Sequence, residues 1–248
     1  MKILTLNTWQ EREEWKKRWE VTFEGIRRFS PDIIGFQELF NRSWAEEVLK
    51  RTNLRHLLFK HETCGNVLLT RFDVEDWGVL SLSQSPLEDY GRYVLWACLK
   101  VRGKKLFVFN THFSWMLEDQ ATRKRQTEDI LKLIQDKADN HELLLMGDLN
   151  APPDSGEIRS LIKKGGFRDL VHEKHPKDAG MTWDNRHPYV KMAGHVLPDR
   201  RIDYILARGN GPLLKELISC DRVFTQPNSE GFWASDHYGL VAEFKDYE

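Results

Sequence analysis

The 248-residue sequence lacks most features that would commit it to a specialised environment. Cysteine occurs only at Cys64, Cys98 and Cys220. The number is odd and the spacings are wide, unlike a zinc site or a disulfide scaffold. Cys98 sits inside the apolar run YVLWACLKV, where a thiol behaves as a small hydrophobe. Neither sign of charge dominates: 37 Lys and Arg face 38 Asp and Glu, a formal net charge of −1. That balance excludes both a protein that coats nucleic acid through its whole surface and an acidic solvating tail. No window approaches the ~18 apolar residues of a membrane span, and no basic amphipathic helix offers a surface anchor. The opening MKILTLNTW enters a strand pattern directly, without the segments of a secretion signal. A cytoplasmic protein with no stable membrane anchor and no obligate protein partner is expected. No Pro/Gly/Ser-rich linker, repeat or low-complexity run marks a boundary, so residues 1–248 are expected to form one domain.

An apolar complement of 40% hydrophobic and 11% aromatic residues is present, enough for a sizeable core. Trp15, Trp19, Phe23, Ile26 and Phe29 recur at steps of three and four, predicting a helix over about 13–29 that ends near Pro31. Trp44, Val48 and Leu49 suggest a short second helix, and Ala121 to Ala138 a third over about 119–138. A fourth is expected to start after Ser155 as N-cap, bury Ile158, Leu161 and Ile162, and stop at Gly165.

Between the helices lie short apolar runs: ILTL at 3–6, DIIGF at 32–36, NVLLT at 66–70, VLWACLKV at 94–101, LFVFN at 106–110, ELLLM at 142–146, IDYILA at 202–207 and LVAEF at 240–244. The pair 94–101 and 106–110 reads as a hairpin with Gly103 in its turn. Near-continuous apolar strands alternating with helices imply sheets covered on both faces, an α/β layered fold.

Polar residues punctuate the ends of these strands. Asn7 follows ILTL, Gln37 and Glu38 follow IIGF, His112 closes LFVFNTH, and Asp148 and Asn150 follow LLLM. Asp203 interrupts RIDYI, while Asp236 and His237 precede the last strand. One such residue alone is a turn or a strand terminus. As a set they supply several carboxylates, three carboxamides and two histidines on loops beside rigid strands. Clustered carboxylates repel unless a cation neutralises them, and oxygen-rich donors without cysteine suit a hard ion, Mg²⁺ or Mn²⁺. Histidines beside such an ion can donate to a phosphoryl group or move a proton near neutral pH. The set points to metal-assisted phosphoryl chemistry.

Six blocks in order, LNTW at 6–9, PDIIGFQE at 31–38, NTHF at 110–113, GDLN at 147–150, RIDYI at 201–205 and SDHYGL at 235–240, resemble the endonuclease/exonuclease/phosphatase superfamily. That group contains deoxyribonuclease I, apurinic endonucleases, neutral sphingomyelinases, inositol-polyphosphate phosphatases and tyrosyl-DNA phosphodiesterases. The resemblance covers nearly the whole chain. It implies a four-layer α/β sandwich, with two mixed β-sheets face to face, helices outside and a site at one edge. It further implies Glu38 as main metal ligand with Asn7 beside it, Asp148 and Asn150 orienting water and phosphate, and His112 at the phosphoryl oxygens. Asp236 would serve the metal side or pair with a histidine. His237, held by Asp203, would act as general base or phosphate ligand, leaving open whether Asp148 or His237 takes the water's proton. Several nuclease branches carry an acidic residue where this sequence has Trp9, which weakens any second metal site.

The motif block MTWDN at 181–185 is most similar to the tyrosyl-DNA phosphodiesterase and neutral sphingomyelinase side. Trp183 and Asn185 are substrate-binding candidates, and Trp9, Trp115, Trp183 and Trp233, all within a few residues of motif positions, are candidates for an aromatic rim. Of the basic residues, Arg200 and Arg201 are candidates to track a phosphate backbone, with Arg201, adjacent to RIDYI, the better substrate contact, while Arg123, Lys124 and Arg125 are expected to decorate a solvated helix face and the polar loop 184–200 to shape specificity. The expected activity is Mg²⁺- or Mn²⁺-dependent hydrolysis of a phosphodiester, either a nucleic-acid end or a small molecule. The alternatives are a sphingomyelinase-like phospholipid phosphodiesterase, a phosphomonoesterase on soluble phosphates, or an inactive phosphate-binding module.

Overall fold

The computed structural model describes residues 1–209 and 211–245, and the described strands form two six-stranded mixed sheets. The first runs, in spatial order, β11 (Leu217–Val223), β12 (Gly239–Phe244), β1 (Lys2–Asn7), β2 (Ile33–Gln37), β4 (Val67–Thr70) and β3 (His56–Leu58). The second runs β5 (Asp73–Ser81), β6 (Tyr93–Val101), β7 (Lys104–His112), β8 (Glu142–Asp148), β10 (Asp203–Arg208) and β9 (Arg168–Asp169). At the centre of each sheet is one parallel pair, β1 with β2 and β7 with β8. Parallel neighbours need a crossover, and the helices α1 (Trp15–Phe29) and α3 (Gln120–Ala138) supply it. Both parallel pairs therefore deliver their C-terminal ends, and the polar residues found there, to a single edge.

Alternation along each strand creates the layers. Ile3, Val108, Leu144 and Ile205 point into a core shared by the two sheets. Their neighbours Leu4 and Leu6 turn outward to meet Trp19, Phe23 and Ile26 of α1 and Val48 of α2 (Arg42–Lys50). Phe109, Leu143 and Leu145 meet Ile130 and Ile134 of α3 and Ile158 of α4 (Gly156–Lys163). With both faces of each sheet covered, the arrangement is the expected four-layer sandwich. Each such buried aliphatic contributes roughly 1.5–3 kcal/mol.

A buried polar network ties the sheets together beneath the site edge. Asn110 Nδ2 of β7 donates to Phe36 O at 2.8 Å and Val67 O at 2.9 Å, and Gln37 Nε2 of β2 donates to Asn110 Oδ1 at 2.7 Å. The sheets approach closely here: a Cβ on Gly35 would lie 2.8 Å from Met146 Cε. Gly147 is required for a different reason, since its φ is +132° and a Cβ would meet Thr111 O.

Several expectations need correction. Ile162 is 37% exposed. Arg123 is buried, donating to Ser114 O and Met116 O and pairing with Glu157, while Lys124 and Arg125 are exposed. The edge strands β5 and β11 and the short β3 and β9 were not expected; edge strands bury little and show weak alternation. The expected loop 184–200 contains the helix α6 (Pro188–Ala193), capped by His187, and α5 (Leu170–Lys174) follows β9.

Candidate active site

The strand register brings the polar termini together. His112 and Asp148 are partners at the ends of β7 and β8, and Asp148 also faces Asp203, the first residue of antiparallel β10. Asn7 closes β1, and β12, antiparallel to it, begins just after Asp236 and His237. Trp9, Glu38 and Asn150 leave their strands in the left-handed region, with φ of 54°, 58° and 46°. Such backbones cost of order 1 kcal/mol or more each and concentrate at functional sites.

Asp148 is the hub. Its Oδ2 accepts from Asn7 Nδ2 at 3.1 Å, and its Oδ1 accepts from the Asn150 backbone N–H at 2.9 Å. His112 Nε2 lies 3.4 Å and His237 Nε2 3.9 Å from Asp148 Oδ2. Asn150 Nδ2 donates to Phe113 O at 3.2 Å, which identifies it as the amide nitrogen, so at 3.1 Å His112 Nε2 is its acceptor. The proton of His112 then belongs on Nδ1, 3.9 Å from Glu38 Oε1. Burial, with Arg92 and His237 nearby, pushes His112 well below the usual histidine range and keeps it neutral.

His237 is the opposite case. Its Nδ1 is 2.9 Å from Asp203 Oδ2. Burial opposes its charge, but Asp203, Asp236 and Asp148 surround it and raise it to about 10. Asp203 is itself anchored, its backbone N–H donating to Thr182 Oγ1 at 3.1 Å. Burial and the neighbouring Asp203 push Asp148 up to about 7, against the pull of His237. Burial likewise raises Asp236 to about 6, with Glu38 adding to it.

These residues fit a hard divalent cation. Ligand atoms of Asp148, Asp203 and His237 lie within 4.8 Å of one another, and the buried Asp203 Oδ1 has no protein partner. His237 Nδ1 and Asp203 Oδ2 are occupied with each other, however. Glu38 and Asp236, the side singled out by the sequence, line the same cleft with Asn7. The burial and repulsion that raise Asp148 and Asp236 are relieved by a cation.

The cleft has a volume of about 770 Å³. Asn7, Glu38, His112, Asp148, Asn150, Asp236 and His237 line it, as does Trp183, whose ring meets His237 edge-on at 5.2 Å. Asp203 stands behind His237. The structure does not bring the other three candidates to the cleft. Arg201 is buried in a bidentate pair with Asp169, at 2.8 and 2.7 Å, and does not line the cleft, although its Nε is left without a partner. Trp233 packs on His187, ring centroids 4.2 Å apart. Asn185 donates to Asp199 Oδ1 and Leu197 O, bracing the segment after α6.

Arg92 and Tyr90, which the sequence reading did not single out, also line the cleft, as do Arg200, ranked there behind Arg201 as a phosphate contact, and His195, left there in the specificity loop without a role. Arg92 and Tyr90 lie on the segment between β5 and β6, which carries no motif. His195 meets the Trp115 ring at 4.7 Å across the opening.

The chain matches the Endonuclease/Exonuclease/phosphatase family over residues 4–237 and belongs to that family. Its fold is shared with D. rerio TDP2 complexed with single-strand DNA product, at 17% identity and TM-score 0.82 over 99% of each chain. Truncated Caenorhabditis elegans TDP2 matches at 19% identity and TM-score 0.78, over 99% of this chain and 97% of that one. A beta toxin from Staphylococcus aureus matches at 17% identity and TM-score 0.78, over 99% and 100%. Likeness at this level of identity speaks to the fold alone. No curated protein matches the sequence. Members of the family are generally hydrolases of phosphoesters. No helix among the described residues is long and apolar enough to cross a membrane.

Proposed function

We propose that this protein is a divalent-metal-dependent phosphodiester hydrolase acting on a nucleic-acid end or a small phosphodiester. The observation that carries the reading is the convergence on Asp148 of Asn7, Asn150, His112 and the Asp203-held His237. The contributing positions run from 7 to 237, so the chain acts as one catalytic unit. Glu38 and Asp236, with Asn7 beside them, would hold Mg²⁺ or Mn²⁺. When bound, the ion supplies Lewis-acid stabilisation of charge developing on the phosphoryl oxygens.

The chain's own residues would do the rest. Asp148, held at both oxygens by Asn7 and Asn150, orients the attacking water and receives its proton. His237, cationic among three carboxylates, donates from Nε2 to a phosphoryl oxygen, and Asn150 and His112 position the same group. The water oxygen bonds to phosphorus as the opposite P–O bond breaks in line. Preorganised donors of this kind usually contribute more to the rate than any other single effect in such reactions.

A second reading, a phospholipid phosphodiesterase, is favoured by the exposed Tyr90 and Met192 on the cleft lining, 49% and 54% accessible. A parallel panel separates the readings: a 5′-modified oligonucleotide, single- and double-stranded DNA, sphingomyelin vesicles, and sugar or inositol phosphates. Turnover confined to sphingomyelin assigns the second reading. Binding of phosphate esters without turnover of any, metal present, refutes both.

A further inference from the structure

Arg200 differs from every other buried arginine among the described residues. Arg18 donates to five backbone carbonyls, among them Thr8 O and Ala234 O, while Arg92, Arg123 and Arg201 pair with Glu88, Glu157 and Asp169. Arg200 is 5% exposed and lines the active cleft with Asp148, Asn150 and His237, yet its Nε and Nη2 have no protein partner. Those two nitrogens form one edge of the guanidinium, the edge that holds two oxygens of a phosphate side by side. Buried guanidinium N–H groups with no acceptor are costly, and proteins retain them where a ligand completes them.

The residue is also fixed in place. Its backbone N–H donates to Trp183 O at 3.0 Å, and its carbonyl accepts from Trp183 N at 3.0 Å and Thr182 N at 3.2 Å. Thr182 also receives the backbone N–H of Asp203. The anchor that places the Asp203–His237 pair therefore places Arg200 as well, three residues upstream.

We propose that Arg200 is the phosphoryl-recognition residue of the cleft, its Nε/Nη2 edge taking two non-bridging oxygens of the substrate and keeping them in the phosphate product. The assignment of the ligand as a phosphoryl group rests on the phosphodiesterase reading; capture of the anion does not require turnover.

The test uses inorganic phosphate as probe, its affinity measured by calorimetry on the full chain, wild type against Arg200→Met and Arg200→Lys. Kinetics on bis-p-nitrophenyl phosphate are run beside it with Mg²⁺. Losing two charge-assisted hydrogen bonds should weaken phosphate binding by about tenfold or more in Arg200→Met. Arg200→Lys, which keeps the charge but not the fork, should recover only part. Ligand-free Arg200→Met should melt no lower than wild type, because two buried donors without acceptors have gone. If the methionine variant does not fold, the loss of affinity in the lysine variant decides. Wild-type affinity for phosphate in the variants, or no phosphate binding by wild type, overturns the proposal. Arg200-dependent phosphate binding without turnover leaves it standing and refutes the hydrolase reading. Turnover with phosphate affinity and KM indifferent to Arg200 does the reverse.

Discussion

Asp203 Oδ2 lies 2.9 Å from His237 Nδ1, and both side chains are buried. The pair joins the start of β10 in one sheet to the loop before β12 in the other, so the imidazole is oriented by the packing of the whole sandwich. The free Nε2 is thereby aimed toward Asp148, 3.9 Å from its Oδ2.

Replacing Asp203 with Asn keeps the shape and removes the charge that holds His237 protonated. The expected result is a kcat about a hundredfold to ten-thousandfold lower at neutral pH, with circular dichroism unchanged. Steady-state kinetics with a saturating metal concentration check it.

Gly147→Ala should destabilise the protein by at least about 2 kcal/mol. Its φ of +132° and its approach to Thr111 O leave no room for a Cβ. Chemical denaturation followed by tryptophan fluorescence gives the number.

Arg201→Met separates structure from substrate binding. It leaves Asp169 buried and unpaired, which costs about 3–5 kcal/mol, yet KM of the folded fraction should equal wild type because Arg201 does not reach the cleft. Denaturation midpoints and KM, measured on the same preparation, test both halves.

These outcomes separate what could be read in the sequence from what could not. The eight expected strands and four expected helices were legible because each strand is a near-continuous apolar run buried on both faces and each helix repeats its apolar residues against a core. The site edge was legible because strand ends carry Asn7, Glu38, His112 and Asp148 in a fixed order. The assignment between Arg200 and Arg201 was not, because both precede β10 and neither composition nor motif says which of two neighbouring arginines meets Asp169 and which faces the cleft. Trp233 and Asn185 failed similarly, since nearness to a motif does not give direction. Helix α6 left a signal that went unused: Pro188 at its first turn and Gly194, with φ of 73°, just beyond its end.

His187 gives a pH dependence. Burial, with His237 nearby, lowers it to about 4 from 6.5, against a smaller pull from Asp184, and its Nδ1 accepts the Tyr189 N–H at 3.1 Å. A histidine lowered by folding contributes stability that is present above the unfolded value and lost as pH falls toward the folded one. Hydrogen exchange in α6 should therefore accelerate between pH 6.5 and 4 relative to the β7–β8 core. In His187→Asn, where the amide oxygen caps the same N–H, that acceleration should disappear.

The central claim, that the cleft is a metal-dependent phosphodiesterase centre, is tested most directly by titrating Mg²⁺ into metal-stripped protein while following hydrolysis of bis-p-nitrophenyl phosphate. The expected result is negligible turnover without metal, saturable activation that chelator reverses, and an activation midpoint moved at least about tenfold higher, with kcat depressed, in Glu38→Gln. Turnover that is independent of metal, or activation in which Glu38→Gln matches wild type, would contradict it.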